Sequence, residues 1–154
     1  MSQSLAKALS YIGEERQAEA RLVKSKVGAR SGVPGRRENF RAPRLRSCVI
    51  MRLAKRLGVD ERVILAVSGI SARTYSRRRE SQEPLTEAES DRLLRIARVA
   101  AEAERIFGDP ARSRRWLTHE SCLLGAKPLD LLGSDIGSRE VEAELMRTAS
   151  GDFA

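Results

Sequence analysis

The side chains best equipped for chemistry lie in Ser71–Arg79, where four arginines accompany Thr74 and Ser76 directly after the break Ser68-Gly69-Ile70. A guanidinium is a planar fork that can bond guanine bidentately, and a hydroxyl can bond phosphate oxygens. Arg73, Ser76, Arg77 and Arg79 are therefore the candidates for DNA contact. The same residues also read as a solvated basic face that packs through Ile70 and Tyr75 and touches nothing. Trp116 follows Arg112, Arg114 and Arg115 and offers either a flat platform beside cations or a plug for a core at the end of a short helix. Reaction chemistry has less support. His119 precedes Ser121 and Cys122 but lacks the spacing of a nucleophile, a base and an orienting group, and Glu140 and Glu144 stand one turn apart without a His, Lys or metal-ligand set. No Gly-rich phosphate loop occurs. The expectation is a chain that is not an enzyme, with no catalytic residue, no metal and no cofactor.

Such residues need a scaffold, and the composition restricts what it can be. The chain has 154 residues, 41% hydrophobic and 32% charged but only 4% aromatic, so its core must be aliphatic. The net charge of +8 is unevenly placed: residues 1–81 carry 19 Lys or Arg against 7 Asp or Glu, and residues 82–154 carry 10 against 14. A basic half joined to a mildly acidic one suggests two surfaces with different partners, the basic one suited to phosphates. Cys48 and Cys122 make no disulfide framework and, with the lone His119, no metal site. No apolar run approaches the roughly 20 residues of a spanning helix, and the N-terminus lacks a signal-peptide core, so the expected location is cytoplasmic, with no membrane.

Periodicity places the elements. Residues 1–27 have weak helical spacing through Leu5, Ala8, Leu9 and Ile12, enough for a marginal helix, and Gly28–Pro43 mixes Gly, Pro and Arg with no period, so residues 1–43 are expected to be a basic, mobile arm and linker. Leu45, Val49, Leu53 and Leu57 predict a first core helix ending at Gly58. Asp60 caps a second with Val63, Ile64 and Val67 inward, and Ser71 caps a third, giving a helix-turn-helix unit over residues 44–81. One position departs from the pattern, because Leu65 stands where a very small residue usually lets the two helices close. Thr86 and Glu89 form a capping box at the head of the longest periodic stretch, through Leu93, Ile96, Ala97, Ala100 and Phe107. Gly108 stops it, and Asp109-Pro110 starts a short helix to Trp116-Leu117. A helical turn is expected at Pro128–Leu132, and a last helix from Gly137-Ser138 with Val141, Leu145 and Met146 inward. No strand is predicted, so the fold class is all-α, with a small helical unit over residues 82–154.

The ordered series Ile70–Arg78, Leu85–Arg98, Phe107-Gly108-Asp109, Trp116-Leu117, Leu124-Gly125, Lys127–Leu132, Gly137, Val141, Leu145-Met146-Arg147 and Gly151 resembles the antitoxin family called Xre/MbcA/ParS over residues 45–154. The resemblance implies an Xre-like helix-turn-helix followed by a C-terminal toxin-binding domain, in a type II toxin-antitoxin system. It implies as partner a RES-domain toxin that degrades NAD or uses it to ADP-ribosylate a protein, homodimerisation, and repression of the operon through operator DNA. A cleft that binds the NAD pyrophosphate should be cationic, and the acidic half of the chain complements it. Arg147, Ser150, Gly151, Asp152, Phe153 and Ala154 are therefore expected to bind the toxin by entering or covering that cleft, though a frayed terminus is the plainer reading of the same segment. A stand-alone helix-turn-helix regulator without a toxin partner is the alternative.

Overall fold

The computed structural model describes residues 3–13 and 43–151, which hold eight α-helices and no strand, apart from one isolated antiparallel bridge between Ser121 and Ala126. In order they are α1 (Gln3–Ile12), α2 (Cys48–Leu57), α3 (Glu61–Ser68), α4 (Ala72–Ser81), α5 (Glu87–Phe107), α6 (Pro110–Thr118), α7 (Pro128–Leu131) and α8 (Asp135–Ser150). The chain is all-α.

Most helix boundaries follow local chemistry. The Asp60 carboxylate accepts the Arg62 N–H at 2.8 Å, Ser71 Oγ accepts that of Thr74 at 3.1 Å, and Asp109 accepts that of Ala111 at 2.9 Å ahead of Pro110. Thr86 and Glu89 close a reciprocal capping box, with the Thr86 N–H 2.8 Å from the Glu89 carboxylate. From there α5 runs 21 residues, about 31 Å at the usual rise. Its Leu93, Ile96, Ala97, Ala100 and Ala103 are fully buried and form the spine against which the other helices pack.

The largest departure from expectation lies at the N-terminus. Residues 3–13 are not an arm: α1 lies on α5 with Ala8, Leu9, Tyr11 and Ile12 in the core. Two arginines of α2 hold its C-terminal end. Arg56 donates to the Tyr11 carbonyl, and Arg52 donates to the carbonyls of Ile12 and Gly13, each at 3.2 Å, supplying donors that a helix end otherwise lacks. Arg56 also sits 3.8 Å from the centre of the Tyr11 ring and 3.0 Å from Glu104, while the Tyr11 hydroxyl donates to Glu104 at 3.0 Å. Burial, reinforced by Glu104, pushes the Tyr11 hydroxyl far above its ordinary range. The remainder of the expected arm and linker, residues 14–42, lies outside the described residues.

The final helix also begins earlier than its periodicity suggests. Ser134, not Gly137, is the cap, accepting the Gly137 N–H at 3.0 Å. Gly137 is buried within the helix, where a Cβ would lie 2.3 Å from the Leu131 carbonyl oxygen. Gly137→Ala should therefore cost about 1–3 kcal/mol, lowering the melting temperature by roughly 2–4 °C for each kcal/mol in a chain of this size. Circular dichroism on heating checks this, and an unchanged transition would mean that α7 can withdraw freely. Val141 and Leu145 face inward as expected, but Met146 is 58% exposed. Glu144, read from sequence as part of a solvated face, is buried against the core and accepts from Arg147 Nε at 2.8 Å.

Candidate interaction surfaces

The helix-turn-helix geometry arises from two adjacent glycine and serine devices. Gly69 adopts φ +68° in the left-handed region, ending α3, and its neighbour Ile70 turns into the core, 4% exposed. Ser71 then starts α4 in a new direction. Leu65, at the position expected to be small, points into the core. The small buried residue between the helices is Ser68, whose hydroxyl donates to the Ile64 carbonyl at 2.7 Å and whose own carbonyl accepts from Arg92 of α5 at 3.0 Å.

Along α4, Arg73, Ser76 and Arg77 stand on one exposed face, with Arg79 exposed at its edge. None of the three arginines has a carboxylate within salt-bridge distance among the described residues, so Arg73 and Arg77 present their charge to solvent or a ligand, while Arg79 also acts on the Tyr75 hydroxyl. Arg78, the fourth arginine, is instead bound to Glu89 and half-buried. Burial pushes the Glu89 carboxyl up, but the Thr86 backbone and hydroxyl together with Arg78 outweigh it and hold it below the usual carboxylate range. Tyr75 anchors the inner face at 7% exposure. Burial pushes its hydroxyl up to about 12, with a bond to Glu61 adding to the effect and Arg79 opposing it.

The second surface is the end of α8. Arg147, Ser150 and Gly151 are exposed, and Gly151 terminates the helix in a left-handed conformation. Asp152, Phe153 and Ala154 lie outside the described residues. Arg147 is turned back onto Glu144, so one of its donor edges is already used. The acidity of this half is also largely spent within the chain. Glu142 pairs with Arg98, Asp135 with Arg139 at 3.1 Å, Asp91 with Arg95 at 3.0 Å, and Glu102 with Arg105 at 2.6 Å. Glu140 is exposed on α8 without an ion pair among the described residues. Charge attraction to a cationic partner from this helix is thus weaker than its composition suggests.

Beside the end of α8, Trp116 is half-buried and its ring packs on Phe107 with centroids 5.8 Å apart. Together with Arg112, Arg115 and Thr148 the two rings line an open groove, so Trp116 both packs on the core and meets solvent. The residues considered for catalysis are not assembled. His119 is exposed, its Nδ1 lying 2.9 Å from the Arg115 carbonyl, and Cys122 is exposed in the following turn. Among the described residues no group of three His, Cys, Asp or Glu side chains could hold a metal, and no helix is long and apolar enough to cross a membrane.

Comparison with known proteins matches two consecutive stretches of the chain to two family models. Residues 28–98 match the antitoxin Xre-like helix-turn-helix domain, and residues 102–151 match the antitoxin Xre/MbcA/ParS C-terminal toxin-binding domain, so the two matches meet within α5. An Antitoxin Xre of Pseudomonas putida is 39% identical over 83 residues, 53% of this chain and 52% of that relative. A protein of a Sphingobium species named Prs ADP-ribosylating antitoxin is 26% identical over 115 residues, 68% of this chain and 72% of that relative. The matched part of the chain thus spans about half the length of the first of these relatives (52%). With an Xre-like helix-turn-helix leading into a C-terminal toxin-binding domain on a shared helical spine, the chain belongs to the Xre/MbcA/ParS antitoxin family.

Proposed function

We propose that this chain is the antitoxin of a type II toxin-antitoxin pair in the cytoplasm, that its partner is a RES-domain toxin acting on NAD, and that the end of α8 closes the toxin's active site. The observation that carries this reading is the exposed last turn of α8, with Arg147, Ser150 and Gly151, on the unit matched by the toxin-binding family model. The chain acts by occupying space rather than by turning over a substrate. Arg147, Ser150, Gly151, Asp152, Phe153 and Ala154 form the inserting segment, and a homodimer presents two of them. The direct test is co-expression with the product of the neighbouring reading frame. A stable stoichiometric complex of low nanomolar affinity, about −11 to −12 kcal/mol, supports the reading; two proteins that elute separately reject it.

The exposed basic face of α4 supports a second activity, repression of its own operon through Arg73, Ser76, Arg77 and Arg79. Arg77→Ala and Arg79→Ala should each lower affinity for operator DNA by about 1–3 kcal/mol if a base edge is lost, or flatten the salt dependence by about one unit of slope if a phosphate contact is lost. Toxin neutralisation should not change. Fluorescence anisotropy with the DNA upstream of the reading frame, over a salt series, measures both quantities. DNA binding without any toxin complex would favour a stand-alone regulator.

A further inference from the structure

Where the N-terminal end of α2 meets the C-terminal end of α4, a notch of about 190 Å³ opens to solvent, lined by Arg46, Ser47, Tyr75, Arg79 and Gln82 among others. Its walls carry two guanidinium groups and no carboxylate. Arg46 and Arg79 are both exposed, and neither has a salt-bridge partner among the described residues. Ser47 is 8% exposed, yet its hydroxyl caps nothing and has no hydrogen-bond partner among the described residues. The Ser47 hydroxyl therefore keeps its donor and acceptor for water or for a ligand that enters the notch.

Gln82 gives a separate indication. It has φ +54° and is the one non-glycine with positive φ among the described residues. The other helices that end in the left-handed conformation, at positions 58, 69, 108 and 151, all use glycine there. An L-residue kept in a conformation it disfavours points to a use for its side chain, and Gln82 lines the notch. A recess lined by two guanidinium groups and neutral donors, with Glu61 acting on the Tyr75 hydroxyl beside it, suits a single phosphodiester oxygen pair.

We propose that this notch is a binding site for one backbone phosphate of duplex DNA, held by Arg46, Arg79, Ser47 and Gln82. The inference rests on the reading of α3 and α4 as a DNA-contacting unit and adds Arg46, Ser47 and Gln82 to it. Clamping the backbone at the far end of α4 fixes how deeply and at what angle the Arg73–Arg77 face enters the groove.

The test uses the full chain and a duplex of the DNA upstream of its reading frame. Arg46→Ala should weaken binding about tenfold and make the salt slope shallower by about 0.9. Gln82→Gly should also weaken binding, while the melting temperature holds or rises because the strain is relieved. A set of duplexes, each with one phosphate replaced by a neutral methylphosphonate, should contain a position where the wild type loses affinity and Arg46→Ala loses no more. Wild-type affinity in both Arg46→Ala and Gln82→Gly, with Arg77→Ala impaired, would overturn the clamp and leave the role of α4 intact. Unchanged binding in all three would overturn both. A melting shift with inorganic phosphate alone that depends on Arg46, without any effect of Arg46→Ala on DNA, would assign the notch to a free anion and likewise overturn the proposal.

Discussion

Removal of residues 148–154 should abolish neutralisation of the toxin and leave the rest of the protein folded. Among the described residues lost, Thr148 is half-buried and Ala149, Ser150 and Gly151 are exposed, so none of these four is a core side chain. Among the described residues the side-chain hydrogen bonds that go are local, from Thr148 Oγ1 to the Glu144 carbonyl and from Ser150 Oγ to the Met146 carbonyl, both at 3.0 Å. The helical signal should therefore fall only by the last turn of α8. Affinity for the toxin should drop much further. A segment buried at the centre of an interface contains residues worth about 2–4 kcal/mol each on truncation, and the loss of even two such contacts weakens binding by a factor of about 10³ or more. Survival of cells expressing the toxin with the truncated chain is the readout. Full protection by the shortened chain would remove the plug from the mechanism. Because the acidic side chains of α8 are mostly paired internally, the proposed insertion would rely on shape and on the exposed turn more than on bulk charge.

The second large effect concerns α1. Leu9 and Ile12 are 1% and 2% exposed, against a core continuous with that of α5. Leu9→Ala and Ile12→Ala should each cost about 2–5 kcal/mol. The double variant should approach the whole stability of an ordinary domain, about 5–15 kcal/mol. Equilibrium unfolding in urea distinguishes this from the behaviour of an arm, for which both substitutions would be close to neutral. Arg56→Ala gives an independent check, since it removes the cation stacked on Tyr11, the Tyr11 carbonyl contact and the Glu104 pair together. Its effect should follow that of the core variants in sign but be smaller, because Arg56 remains partly solvated.

The arrangement that emerges places both interaction surfaces on one rigid spine. α5 meets the helix-turn-helix through Arg92 and the Ser68 carbonyl and through Glu89 and Arg78, and meets α8 through Arg98 and Glu142. Gly133 brings the α7–α8 turn within reach of α3, where a Cβ would lie 2.7 Å from the Val67 carbonyl oxygen. On the proposed reading, a toxin bound at the end of α8 would be held at a set orientation to the face of α4, as a complex engaging DNA and toxin together requires.

What the sequence determined was local. Caps at Asp60, Ser71, Thr86 and Asp109, terminators at Gly58, Gly69 and Gly108, and aliphatic spacing along α2, α3 and α5 each act within about one helical turn, so they can be read without knowing the fold. The exposed arginine face of α4 belongs to the same class of information. Only the tertiary structure decided which side chains are available. Whether Ala8, Leu9 and Ile12 dock depends on donors from Arg52 and Arg56, forty or more residues away. Glu144 is buried and Met146 exposed because α8 is rotated by contacts with α5 and by the close approach of Gly137 to Leu131. The recess at Ser47 and Gln82 joins residues from two helices that share no periodic pattern. Long-range packing fixes the facing of short amphipathic segments, because several rotations bury similar apolar area and only the neighbours select one.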